Sequence, residues 1–400
     1  MRIFQLFPAL AIRNYRNFWL TQWIALIGFW IQLTSQQWLV YEMTDSALLL
    51  GILSAMEFAP SLLFSLVVGF WIDRHSKRKI LIATQLLYIA QASLLALLLW
   101  TGNASYGWIL FFAFFIGTID AVDMPTRLAF MPLLVGKQHL HSAVALNSAN
   151  FNITRMFGPL LAAFLLVYID YSMVFFLNAL SLIPICLTYA RMRVEEPPAE
   201  PGQRNALQEI KEGILCAKGN PTIFSNLLAM AIVSSLILNF GTYGPLFADR
   251  VLGQGLTGFG AILFAIGAGS LVSGLLSAAG RKHTENRFLF FSAMTCGLLL
   301  AVISQTAFYI PALLLFGILG FFVILFMINC NTAIQLASPP GYLGRIMSLY
   351  TFVFLGSAPF GSLLVSSAIE YLGTSSGLLL VGILEMLSIL WIGRRYWHRR

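Results

Sequence analysis

Charge is scarce in this chain: of 400 residues only 10% are Asp, Glu, Lys or Arg, against 58% hydrophobic. A soluble domain carries about 25% charged residues, so lipid rather than water is the solvent for most of the chain. Cysteine is scarce as well. Cys186, Cys216, Cys296 and Cys330 stand singly, without a CxxC pair, which argues against a disulfide framework and a zinc site. There is no P-loop and no HExxH, which removes the groundwork for ATP hydrolysis or metal-assisted hydrolysis by this chain. The N-terminus lacks a short apolar core ending in small residues, so no cleaved leader is expected.

What the chain has instead is long apolar runs. About 20 helical residues cross roughly 30 Å of hydrocarbon. Segments of that length can be drawn at 18–42, 47–72, 79–100, 106–124, 140–167, 171–190, 222–247, 254–278, 287–306, 309–336, 346–369 and 373–393. They predict an all-α membrane protein of twelve transmembrane helices with both termini on one side. Every Lys and Arg except Arg155 and Arg250 falls on that same side, at the termini or in the polar connections. Such bases mark the cytoplasmic face, so both termini are expected in the cytoplasm. The net charge of +8 is then a topology signal, and no nucleic-acid partner is expected.

The longest polar segment, Arg191–Gly219, divides the spans six and six. Its Glu195-Glu196-Pro197-Pro198 run opposes helix, while Leu207, Ile210, Ile214 and Leu215 recur at helical spacing among polar neighbours. The expected domains are an N-terminal six-helix bundle at 1–190, a cytoplasmic linker with an amphipathic helix at 191–219, and a C-terminal six-helix bundle at 220–400. The halves echo each other weakly. Arg155-Met156-Phe157-Gly158-Pro159 in the fifth span is matched by Gly356-Ser357-Ala358-Pro359-Phe360-Gly361 in the eleventh.

Between the second and third spans lies Gly69-Phe70-Trp71-Ile72-Asp73-Arg74-His75-Ser76-Lys77-Arg78-Lys79. This turn resembles the signature of the major facilitator superfamily, with Ser76 where a second glycine is usual. Arg13-Asn14-Tyr15-Arg16-Asn17-Phe18, Trp38-Leu39-Val40-Tyr41, Pro125-Thr126-Arg127 and Asn147-Ser148-Ala149-Asn150 are similar to its drug:proton antiporter branch, which includes the enterobactin exporter and macrolide efflux proteins. The resemblance covers nearly the whole chain. It implies two six-helix bundles with the substrate site between them near mid-membrane, and a chain that works as a monomer.

The same resemblance implies roles for individual residues. Gly69, Asp73, Arg74 and Arg78, with Asp120 and Asp123 at the cytoplasmic end of the fourth span, are expected to form a conformational latch. In it Asp73 faces the start of the eleventh span, and Arg74 or Arg78 reaches the two fourth-span acids. Gly158 and Pro159 correspond to the glycine-proline motif that exporters carry in helix five, with small residues replacing its outer glycines. Charges at mid-bilayer are costly. Glu57 and Arg155 both fall near mid-depth, and they are expected to border the cavity and carry proton coupling. Glu385 is expected to face lipid, and Glu42, Asp45, Asp249 and Glu370 to sit solvated at the outer rim. Gln32, Gln36, Trp38, Asn147, Asn150, Asn239, Tyr243, Asn329 and Gln335 are the candidate cavity residues. Each on its own is also suited to an interhelical tie.

The function these readings predict is secondary active transport in a bacterial inner membrane, with no cofactor and no metal. The expected process is proton-coupled efflux of a bulky amphipathic compound, a siderophore or a hydrophobic drug such as a macrolide. A lysophospholipid flippase and a siderophore or nutrient importer use the same fold. An enzyme is not expected.

Overall fold

The computed structural model describes residues 7–196, 206–279, 286–339 and 341–397, and every element in it is a helix. After a short 3-10 turn at Pro8–Ala11 come α1 (Arg13–Thr44), α2 (Ala47–Asp73), α3 (Lys77–Trp100), α4 (Tyr106–Leu165) and α5 (Tyr171–Arg191). The amphipathic α6 (Ala206–Gly219) follows, then α7 (Pro221–Leu236), α8 (Phe240–Leu246), a π-helical turn at Phe247–Val251, and α9 (Gly255–Ala279). The chain ends with α10 (Asn286–Ser304), α11 (Tyr309–Ala337), α12 (Leu343–Gly356), α13 (Ala358–Leu372) and α14 (Thr374–Trp397).

Among the described residues, ten helical stretches are long and apolar enough to cross a membrane. Two expected spans are helical but are not among the ten: α1, and the arm of α4 beyond Gly136. The reason lies in their composition. Within α1, Gln22, Gln32, Thr34, Ser35, Gln36 and Gln37 are all buried, so the polar groups that lower its hydropathy are turned inward. The second arm of α4 carries Asn147, Asn150, Asn152 and Arg155. Gly136 separates the two arms of α4 with φ 70° and ψ 165°, a conformation that glycine adopts without a Cβ penalty.

The helices gather into two compact units. The first comprises Met1–Leu39 and Leu63–Gly202, and the second Val40–Leu62 and Gln203–Arg400. The division at 202/203 falls inside the expected 191–219 linker. The hairpin joining α1 to α2 belongs with the second unit, although its sequence lies in the first half. Beyond α5 the chain stays with the first unit, where Met192 is buried and Val194 packs on the core.

The first unit is centred on Tyr15, Phe18, Phe130, Leu146, Ile185 and Tyr189. Polar ends of its aromatics are satisfied by backbone: the Tyr15 hydroxyl donates to the Ala143 carbonyl at 2.9 Å and Trp19 Nε1 to that of Leu146 at 3.1 Å. In the second unit α9 lies against α11 and α10 against α14. Small residues set these seams: a Cβ at Gly320 would overlap the backbone of Ile266, and one at Gly269 the Gly317 carbonyl.

Candidate functional site

In the first unit, α3 presents Thr84, Gln85, Tyr88 and Gln91 at helical spacing, a polar stripe aimed at the first arm of α4 and at α1. The fully buried Asp123 accepts from Thr84 Oγ1 at 2.6 Å and Gln85 Nε2 at 3.0 Å, and it is paired with Arg127 one turn along α4. Asp120 accepts from the Tyr88 hydroxyl. Gln91 accepts from Gln32 Nε2 at 3.2 Å, while the Gln32 carbonyl takes Asn178 Nδ2 at 2.5 Å. Three helices are thereby joined through amide groups alone.

The expected pairing of Arg78 with these acids is not what the structure contains. Arg78 Nε donates to the Tyr189 carbonyl at 2.8 Å and Nη2 to that of Ala190 at 2.5 Å. It therefore clasps the C-terminal end of α5, where unpaired carbonyls and the helix dipole favour a cation. The first-unit partner of Asp123 is Arg127, its i+4 neighbour. The surroundings of Gly69 and the side chain of Asp73 lie outside what is described. Arg74, at the exposed end of the turn, is described.

Sequence reasoning missed the partner of the signature turn. Ser76 is the N-cap of α3, and Glu196, from just beyond α5, covers the same helix end. Its carboxylate accepts from Ser76 Oγ at 2.7 Å and from the amides of Lys77 and Arg78 at 2.7 and 3.0 Å. Burial opposes the charged form of Glu196. The bonds from Ser76, Arg78 and Lys77, with the Lys77 charge, outweigh it and hold the carboxyl below its ordinary range. The serine in place of the usual glycine was the visible signal, because Ser before a helix start is a capping residue.

The second arm of α4 brings Gly158 against α1. A Cβ at Gly158 would overlap that of Trp30, so the glycine before Pro159 is a seat for an indole, which also meets Phe151 edge-on at 5.6 Å. The eleventh-span counterpart behaves likewise in the second unit. Gly361 lies against the Ser235 backbone at the end of α7, with no space for a methyl. The weak echo between halves thus has a structural meaning: a glycine within two residues of the proline seats each helix on the first helix of its own half.

The rim acids Asp45, Asp249 and Glu370 of the second unit are exposed, as expected, and are bonded to protein as well. The Tyr41 hydroxyl donates to Asp249 Oδ2 at 2.6 Å, and Arg250 Nη2 donates to the Asp45 carboxylate at 2.7 Å and carbonyl at 2.6 Å. Glu370 accepts from Ser46 Oγ at 3.0 Å and from the amides of Ala47 and Leu48 at 2.8 and 3.3 Å, capping α2. Ser54 and Thr242 share a bond at 3.1 Å. Glu385 is a correction to its expected place facing lipid. It is fully buried, because α14 turns that face toward α10 and away from lipid.

Of the other candidate residues, Glu57 is half-buried in the second unit and Arg155 half-buried in the first. No acid described in the first unit pairs with Arg155. Asn150, Asn239 and Asn329 are buried and donate to the carbonyls of Trp19, Ser235 and Leu325 at 3.5, 2.5 and 2.7 Å. Tyr243 donates to Ile237 at 3.1 Å from a fully buried position. Gln36 and Trp38 are buried, Asn147 is half-buried, and the exposed Gln335 donates to Asn331 at 2.5 Å. Most of the amides act as ties inside their unit. The string Gly373-Thr374-Ser375-Ser376-Gly377 has GxSxG spacing, but it joins α13 to α14, not a strand to a helix.

Residues 5–396 match the family described as transmembrane secretion effectors. The chain belongs to that family. The chain is 23% identical over 379 residues to macrolide efflux protein A of Streptococcus pyogenes, covering 93% of each chain. It is 24% identical over 270 residues to the staphyloferrin A transporter of Staphylococcus aureus, covering 65% of this chain and 66% of that one. Its fold is that of the bacterial homologue of the human lysosomal transporter Spinster, at a TM-score of 0.73 with 14% identity over 96% of each chain. It is a multi-pass membrane transporter of the major facilitator type and not an enzyme.

Proposed function

We propose that this transporter exports a bulky amphipathic organic compound, a siderophore or a hydrophobic drug of the macrolide kind, in exchange for protons across a bacterial inner membrane. The observation that carries the reading is the alignment with macrolide efflux protein A along 93% of both chains. The similarity to a staphyloferrin A transporter keeps siderophores beside macrolides as substrate class. In this reading the chain crosses the membrane twelve times as two six-helix bundles and works as a monomer. Both termini lie in the cytoplasm, where the bases cluster.

Alternating access needs contacts that hold one face and then release. The outer contact set is Tyr41–Asp249, Asp45–Arg250 and Glu370 at the start of α2. The inner one is the signature turn, Gly69 to Arg78, which carries the Glu196 cap and the Arg78 clasp, with Asp120 and Asp123 fixing α4 behind it. Glu57 and Arg155, the two charges expected near mid-depth, supply the proton step, since charges held there are costly and usually functional. The amides left partly open, Asn147 and Gln335, stand with the aromatics as substrate contacts.

Inverted vesicles from a strain deleted for this gene, carrying it on a plasmid, decide direction and coupling. Proton-gradient-driven accumulation of a macrolide or a siderophore is the expected result, with Glu57→Gln abolishing it. Accumulation only in right-side-out vesicles would mean import. Movement of lysophospholipid alone would make the chain a flippase.

A further inference from the structure

We propose that Glu385 is a proton-binding site built into the seam between α10 and α14. It is a site separate from Glu57, and it does not depend on what the transporter carries or in which direction. The carboxyl group is fully buried, and neither oxygen makes a hydrogen bond among the described residues. It sits where Gly297 of α10 has no side chain: a Cβ there would overlap Glu385 Oε2 and stand 2.9 Å from Met386 Cγ. The backbones meet directly beside it. A Cβ at Gly382 would lie 2.7 Å from the Gly297 carbonyl and 2.9 Å from the Ala301 amide. No ligand larger than a proton fits such a seam.

The surroundings offer a negative charge no cation, and only the Gly297 backbone of α10 favours it. From α10 the titratable group at this level is Cys296, a buried thiol that donates to the Ser292 carbonyl at 3.3 Å. Helix α7 carries no ionisable side chain. On α13 the acid is Glu370, committed to the start of α2, and Tyr371 beside it is exposed. Asp249 and Arg250 of the π-helical turn are bonded to Tyr41 and Asp45. Along α14 itself, Arg394 and Arg395 lie in the last turns, roughly 14 Å along the axis from Glu385 at 1.5 Å per residue. An ion stripped of water without donor or cation is several kcal/mol dearer than its neutral form. The neutral acid needs only one acceptor for its O–H.

The step is a simple transfer. With the seam parted, a hydronium ion gives its proton to a carboxylate oxygen and leaves as neutral water. The seam closes on the neutral acid, and parting it again returns the proton to water. Bonds and charge balance without any other reactant.

Infrared difference spectroscopy on the full chain in lipid nanodiscs tests this with no transport measurement. The wild type should show a protonated-carboxyl C=O band at neutral pH that is lost at high pH. Glu385→Gln should lose that band and Glu57→Gln should keep it. Glu385→Asp, which keeps the acid and moves it, should shift the band, and this variant decides the matter if the glutamine protein does not fold. A band unchanged in both Glu385 variants overturns the proposal. Loss of drug export with the band intact would count against the export reading alone.

Discussion

Asp123 and Glu385 are both fully buried acids in seams between helices, yet they are placed in opposite ways. Asp123 is met by a hydroxyl, an amide and a guanidinium, supplied by α3 and by its own helix. Glu385 is met by a glycine surface and a thiol that is already bonded elsewhere. An acid whose lone pairs are filled is a structural joint, and removing it strands its partners. An acid with none is an expense to the fold, and it persists only where ionisation itself has a use.

Substitution to leucine separates the two cases most sharply. Asp123→Leu leaves Arg127 without its partner in the seam and Thr84 and Gln85 without theirs. A loss of about 3–5 kcal/mol is expected, read as a lowered melting temperature of the purified protein. Glu385→Leu should change stability by less than about 1 kcal/mol or raise it, since it replaces an unpaired polar group with an apolar one of similar volume. Equal losses in the two proteins would erase the contrast.

Glycine substitutions come next. Gly361→Ala drives a methyl into the Ser235 backbone and Gly158→Ala drives one into Trp30. Overpacking of this kind costs typically 1–3 kcal/mol, with Gly361 the larger because backbone cannot rotate aside. Limited proteolysis of the two variants would rank them.

The smallest effects belong to the two carboxylates that cap helices. Glu370→Gln and Glu196→Gln should each cost about 1 kcal/mol, with Glu370 at the lower end because it is the more solvated. Their pH behaviour sharpens the comparison with Glu385. The carboxyl of Glu196 is held below its ordinary range in the folded chain. Its contribution is therefore complete above the ordinary carboxylate range and is lost as pH falls through the lower folded value. Melting temperature followed from neutral to acid pH should show that loss in the wild type, and Glu196→Gln should lack it.

Much of the fold was legible because hydropathy and charge are local properties. The apolar runs fall on helices, two of them broken at 237–239 and at Ser357, the polar Arg191–Gly219 segment contains the unit boundary, and the amphipathic spacing near Ile210 and Ile214 became α6. The signature turn and the N-terminal Tyr15 and Asn150 motifs were visible too, and Tyr15 and Asn150 tie α1 to the second arm of α4. The partners of those groups were not visible. Glu196 lies 120 residues from Ser76 and Glu370 lies 323 from Ala47, distances over which helical periodicity carries no information. The cavity amides showed the same gap, since Gln32 faces inward in the same alternation that would have let it face a ligand.

By itself the sequence determined the solvent, the all-helical class and the superfamily. Each of these rests on composition and on spacings within one or two helices. The tertiary structure alone decided which buried acids are satisfied. A helix assigns a residue to a face, while the donors on the facing helix come from another part of the chain. For Asp123 that face brings Thr84 and Gln85, and for Glu385 it brings Gly297.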